Sequence, residues 1–167
     1  MPLTMHQAAV TPTLKMLATL DRLLDKAAAY ATARKLDEPK LLQARLYPDM
    51  LPLVQQIQIV SDTAKGLVGR LAGKEVPSFP DTETTIAELK ARLAKTADFI
   101  KGLQPSDFDG AETRTLTLPI GGGKTMEMSG LDFVLGRGTA NFYFHVVTAY
   151  DIMRHIGVEV GKRDYLG

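Results

Sequence analysis

Residues 138–157, Gly-Thr-Ala-Asn-Phe-Tyr-Phe-His-Val-Val-Thr-Ala-Tyr-Asp-Ile-Met-Arg-His-Ile-Gly, constrain the fold more than any other stretch of this chain. At about 100° per residue, Asn141, Phe142, Ala149, Ile152 and Ile156 fall within roughly 60° of His145 on a helical wheel, with Met153 just outside. One mostly apolar face at that spacing is the mark of a helix packed on a core. The opposite face carries Tyr143, Val147, Tyr150 and Arg154, where a surface helix would be polar. Both sides are therefore expected to be covered, by the hairpin and tail of the same chain or by a second copy of it. Gly157 is placed to end the helix just beyond its C-terminal cap.

His145 is thereby directed inward. It reads either as a metal ligand or general base, or as an imidazole whose nitrogens are satisfied by a neighbouring group. Position alone favours the second, because buried polar groups are hydrogen-bonded whether or not they do chemistry.

Three earlier segments share the helical period. Over residues 3–34 the stripe is Leu3, Val10, Leu14, Leu17, Leu24 and Ala28, interrupted by Pro12. Proline is tolerated in a first turn or at a kink, so the helix is expected to start near Thr11, with residues 3–10 as a separate turn. His6 sits at the edge of the stripe and reads as packing or solvent-facing. Residues 35–52 hold three prolines and form a connection, with one or two helical turns over 41–46. A second helix is expected over 49–72, with Leu53, Ile57, Val60, Ala64, Leu67, Val68 and Leu71 inward. Asp49 and Gln56 flank that face, Asp49 as an N-cap or as a ligand in a pocket. A third helix, opened by an acidic turn from Asp81, runs to about residue 103 with Ile86, Leu89, Leu93, Ala97 and Ile100 inward. Three helices with single apolar faces behave as members of a bundle.

Between the third helix and the last the period changes to two. Leu116 and Leu118 alternate with threonines, three glycines follow, and Met126 and Met128 alternate again, which predicts a β-hairpin. The string Gly-Gly-Gly-Lys124-Thr125 is not a phosphate loop. That motif needs a glycine where Leu118 stands, and a helix after the lysine.

Composition closes off several functions. Twenty basic residues against nineteen acidic leave a net charge of +1, with no basic field for nucleic acid. The absence of cysteine excludes disulfides, thiolate nucleophiles and cysteine-ligated zinc. No stretch approaches the roughly 20 apolar residues of a membrane span. The N-terminal residues lack the pattern of a signal peptide, so the cytoplasm is the expected compartment. At 167 residues one domain over 1–167 is expected.

Four strings carry a resemblance. Ala44-Arg-Leu-Tyr-Pro-Asp-Met-Leu-Pro-Leu-Val-Gln-Gln56, Pro80-Asp-Thr-Glu-Thr84, Asn141-Phe-Tyr-Phe-His-Val-Val-Thr-Ala-Tyr150 and Gly161-Lys-Arg-Asp-Tyr-Leu-Gly167 resemble the family catalogued as domain of unknown function nineteen ninety-three. That family is similar to the DinB/YfiT-like superfamily. The resemblance implies an all-α four-helix bundle with a long crossover between the second and third helices, usually dimeric, with many relatives binding a divalent metal through three histidines. Two of those are spaced His-x-x-x-His on the last helix. Here His145 matches the first, but Ala149 occupies the second position and the second helix has no histidine. Two imidazoles at i and i+4 project onto one ion; one imidazole and a methyl group do not.

The expected function is therefore a non-catalytic small-ligand-binding or structural homodimer without a metal or other cofactor. Its pocket would lie around His145, Asn141, Asp49, Gln56 and Tyr150. The alternative is a divalent-metal-dependent hydrolase or transferase with a non-standard site around His145. The tail, with Tyr165 and Leu166 as anchors, is expected to dock on its own bundle rather than to act as a catalytic arm.

Overall fold

The computed structural model describes residues 2–167. Its elements are α1 (Met5–Arg34), α2 (Glu38–Leu42), α3 (Leu53–Leu71), α4 (Ile86–Lys101), a 3₁₀ turn (Pro105–Phe108), β1 (Thr115–Gly121), β2 (Lys124–Ser129), α5 (Gly130–Leu135), α6 (Arg137–His155) and α7 (Lys162–Leu166). The four long helices, α1, α3, α4 and α6, make an all-α bundle, and the hairpin precedes α6 as the change of period predicts.

Residue pairings fix the helix directions. Gln56 meets His145 and Leu67 meets Gly138, so α3 and α6 are antiparallel. Asp62 meets Arg92 and Gly69 lies against Phe99, so α3 and α4 are parallel. A parallel pair cannot be joined by a tight turn; the chain must run back along the bundle, and residues 72–85 do so. The core runs through all four helices, with Leu20, Leu23, Leu53, Ile57, Leu89 and Ile152 fully buried.

The first helix departs from expectation. It begins at Met5, where Thr4 and Gln7 form a capping box, and it continues through Pro12. Thr11 caps nothing. Only one backbone bond is lost at the proline, while Met5, Ala9, Val10 and Met16 continue the buried stripe across it. The Thr13 hydroxyl donates to the Ala9 carbonyl at 2.7 Å in the same turn. Leu3 lies outside the helix and is exposed, and Leu20 and Leu23 carry the burial instead.

The other helix starts shift as well. The second helix opens at Leu53 with Pro52 in the cap position, because residues 47–50 form a turn closed by the bond from the Met50 amide to the Tyr47 carbonyl. Asp49 is exposed in that turn and is not an N-cap. The third helix opens at Ile86, capped by Thr85 with Glu88 reaching back to the Thr84 and Thr85 amides. Asp81 does not open it; its carboxylate lies 2.8 Å from Arg92.

Arg92 holds the crossover down. Its side chain is 2% exposed and binds Glu83 at 3.0 Å, Asp62 at 3.0 Å and the Pro80 carbonyl at 3.0 Å. Gln58 adds a bond to Glu83 at 2.9 Å. Phe79, in the crossover, lies under the ammonium groups of Lys65 and Lys95 at 4.3 and 4.1 Å. Ions so far from water are stable only when paired, and of the Arg92 nitrogens Nε alone is left without a partner among the described residues. Arg92→Met should cost about 3 kcal/mol in denaturant unfolding, since it leaves the Glu83 carboxylate without its cation. Removing the more exposed Lys90, which pairs with Asp21 and Asp25, should cost less than about 1 kcal/mol. Equal losses at the two sites would contradict this account.

The tail is docked. Val158 and Val160 are buried, the Tyr30 hydroxyl donates to the Ile156 carbonyl at 2.8 Å, and Lys26 pairs with Asp164 at 2.7 Å. Deleting residues 158–167 exposes the seat of two buried valines, about 3 kcal/mol or more. The melting temperature should then fall by about 6–12 °C; an unchanged thermal transition would refute the docking.

Candidate functional site

Besides Gly138 and Thr148, the buried residues on α6 are the apolar arc of Phe142, Val146, Ala149, Ile152 and Met153. At 100° per residue the centre of that arc lies about 50° from His145. His145 is thus on the flank of the packed face rather than at its middle, and Asn141 lies farther round and is exposed. The opposite face is covered in part. Tyr165 meets Tyr150 edge to face at 5.8 Å and Arg154 donates to the Val160 carbonyl at 2.6 Å, whereas Val147 stays open.

His145 has one polar partner among the described residues. Its Nδ1 lies 2.7 Å from Oε1 of Gln56, whose side chain is buried. Gln56 Nε2 in turn donates to the Leu51 carbonyl at 3.1 Å. That second bond orients the amide, so Oε1 must accept and His145 Nδ1 must carry the hydrogen. The Nε2 lone pair is left as the only basic position on the ring. Phe144 abuts the ring edge-on at 5.2 Å.

Burial holds the His145 imidazole below its ordinary value. Its neutral form is favoured in the folded protein, so this contribution to stability is complete above about pH 6.5 and is lost as pH falls through the lower folded value. An NMR titration should give His145 a midpoint below about 6.5. A midpoint at or above that value would show the ring to be solvated.

The expected pocket residues fall in four places. His145 and Gln56 form the bridge between α6 and α3. Tyr150 faces the tail. Asp49 makes no hydrogen bond or ion pair among the described residues. Asn141 belongs to a neighbouring cleft of about 220 Å³ between α3, α6 and the hairpin. Leu67, Phe133 and Leu118 give this cleft an apolar wall, and Arg70 and Arg137 supply its charged groups. Gly138 lets α6 approach, since a Cβ there would stand 2.8 Å from Leu67 and 2.9 Å from Phe133. Sequence reasoning missed both arginines. The i, i+4 spacing of Arg137 and Asn141 puts them on one face, but the helix break at Gly136 that positions Arg137 has no periodic signature.

A divalent site of the three-histidine kind does not fit these residues. Ala149 is buried where the second imidazole would stand, and the Gln56 oxygen is committed to His145. Among the described residues no group of three or more His, Asp or Glu side chains gathers to hold an ion.

Helix directions, crossover and hairpin together define a DinB-like bundle. A DinB family member protein from Shewanella denitrificans, known from a crystal structure, superposes with a TM-score of 0.89 at 42% identity, over 97% of this chain and 91% of that one. The chain belongs to the family described as Domain of unknown function (DUF1993), whose model matches residues 5–166. No curated protein matches it. No helix among the described residues is long and apolar enough to cross a membrane.

Proposed function

We propose that this chain is a cytoplasmic, non-catalytic binding protein that works as a homodimer and holds a small molecule in the cleft between α3, α6 and the hairpin. The observation that carries this reading is the Gln56–His145 bond. It commits one imidazole nitrogen to an amide that has no acid–base chemistry of its own. A general base needs a nucleophile or substrate proton within reach, and a catalytic metal needs at least three protein donors; among the described residues Nε2 of His145 has no hydrogen-bond partner to activate. One half-buried Nε2 supplies neither.

The dimer is supported by an apolar surface flanking that bridge. Leu51, whose carbonyl holds Gln56, and Phe144, whose ring abuts His145, are both exposed, Phe144 by 57%. Val147 continues the patch one turn along α6, and Tyr47 is exposed in the loop before α3. An exposed apolar patch of this kind suits a two-fold contact between identical chains. Light scattering coupled to size exclusion should give twice the chain mass at micromolar concentration, and Phe144→Asp should give the monomer with its melting curve retained. A wild-type monomer would overturn the dimer. Metal analysis of untagged protein should find well below one equivalent per chain, and a stoichiometric divalent ion would overturn the non-catalytic reading.

A further inference from the structure

We propose that the cleft between α3, α6 and the hairpin selects a small organic anion, a carboxylate on a short apolar or aromatic body. This deepens the binding role proposed above and rests on it. The charged side of the cleft comes from two elements. Arg70, in the last turn of α3, lies over Gly66, where any Cβ would collide with the guanidinium. Arg137 opens α6. Neither guanidinium has an ion-pair or hydrogen-bond partner among the described residues, in a protein whose buried arginine, Arg92, has four. Two forked donors facing one concavity match the oxygens of a carboxylate.

The backbone adds to the same field. Gly136 precedes α6 without a side-chain cap, and Arg137, Gly138 and Asn141 of the first turns of α6 line the cleft. The positive end of a 19-residue helix therefore lies at the cleft. The one acid at the rim, Asp62, does not cancel this charge. Its carboxylate is already held by Lys65 at 2.6 Å and Arg92 at 3.0 Å. Asn141 provides a neutral hydrogen-bonding group beside it, whereas the Thr63 hydroxyl is already donated to the Ile59 carbonyl at 2.7 Å.

Size and wall restrict the rest of the ligand. At about 220 Å³ the cleft is smaller than the roughly 300–1,000 Å³ of pockets for drug-sized molecules, so a nucleotide is too large. Leu67, Phe133, Leu118 and Pro119 form the apolar part of the lining, which inorganic phosphate would leave uncovered.

The test uses full-length protein titrated at low salt with benzoate, its neutral isostere benzamide, and inorganic phosphate, followed by amide NMR shifts. Benzoate should bind saturably, shifting Thr63, Gly138 and Asn141. Arg70→Gln and Arg137→Gln should each weaken it about tenfold or more with the melting temperature unchanged, because each removes a charged hydrogen bond. Benzamide binding as tightly as benzoate at the same residues would overturn the anion selectivity while leaving a binding cleft. Phosphate binding as tightly as benzoate would overturn the apolar part of the assignment. If neither aromatic probe shifts these residues, both the anion assignment and the cleft as a binding site fall.

Discussion

The parallel packing of α3 and α4 is the constraint on which the rest of this structure depends. Neighbouring helices in sequence normally turn back on each other, and a parallel pair forces fourteen residues to travel the length of the bundle without secondary structure of their own. Such a segment has lost most of its conformational freedom with few backbone bonds to show for it. Arg92 supplies what is missing. It ties Pro80, Asp81 and Glu83 of the crossover to α4, and ties α4 to Asp62 of α3, so one buried cation joins three pieces of chain that hydrophobic contact alone would leave free to slide.

The helices were legible because burial imposes a period. Ile57, Val60, Ala64, Leu67 and Leu71 recur at helical spacing and are all buried, and the hairpin announced itself by alternation and by three glycines. What the period could not give was the exact rotation of a helix. In α6 an arc shifted by about half a residue spacing moves His145 from the centre of a packed face to its edge. Helix starts were missed where a local hydrogen bond decided between adjacent polar residues: Thr4 rather than Thr11, Thr85 rather than Asp81. Pro12 misled because the cost of one proline is small beside a buried stripe that continues on both sides of it.

The site was half legible for a related reason. A missing ligand can be read from sequence, since Ala149 is visible as alanine whatever the fold does. The partner that replaces it cannot, because the Gln56 amide and the His145 ring lie 89 residues apart and meet only through helix packing. Arg70 and Arg137 were invisible as a pair for the same cause. Asp49 was expected as a helix cap and does not cap α3, its turn being oriented by the Tyr47 and Met50 backbone.

The docking of α7 beside Lys26 and Tyr30 has a bearing on how the molecule is made. During synthesis α1 leaves the ribosome ahead of α3, α4 and α6, yet part of its flank stays uncovered until residues 158–166 have been added, over a hundred residues later. Contacts so distant in sequence form late and slowly. A nascent chain paused before residue 158 would therefore hold the four long helices with the seat of Val158 and Val160 still open, the kind of surface that folding helpers grip.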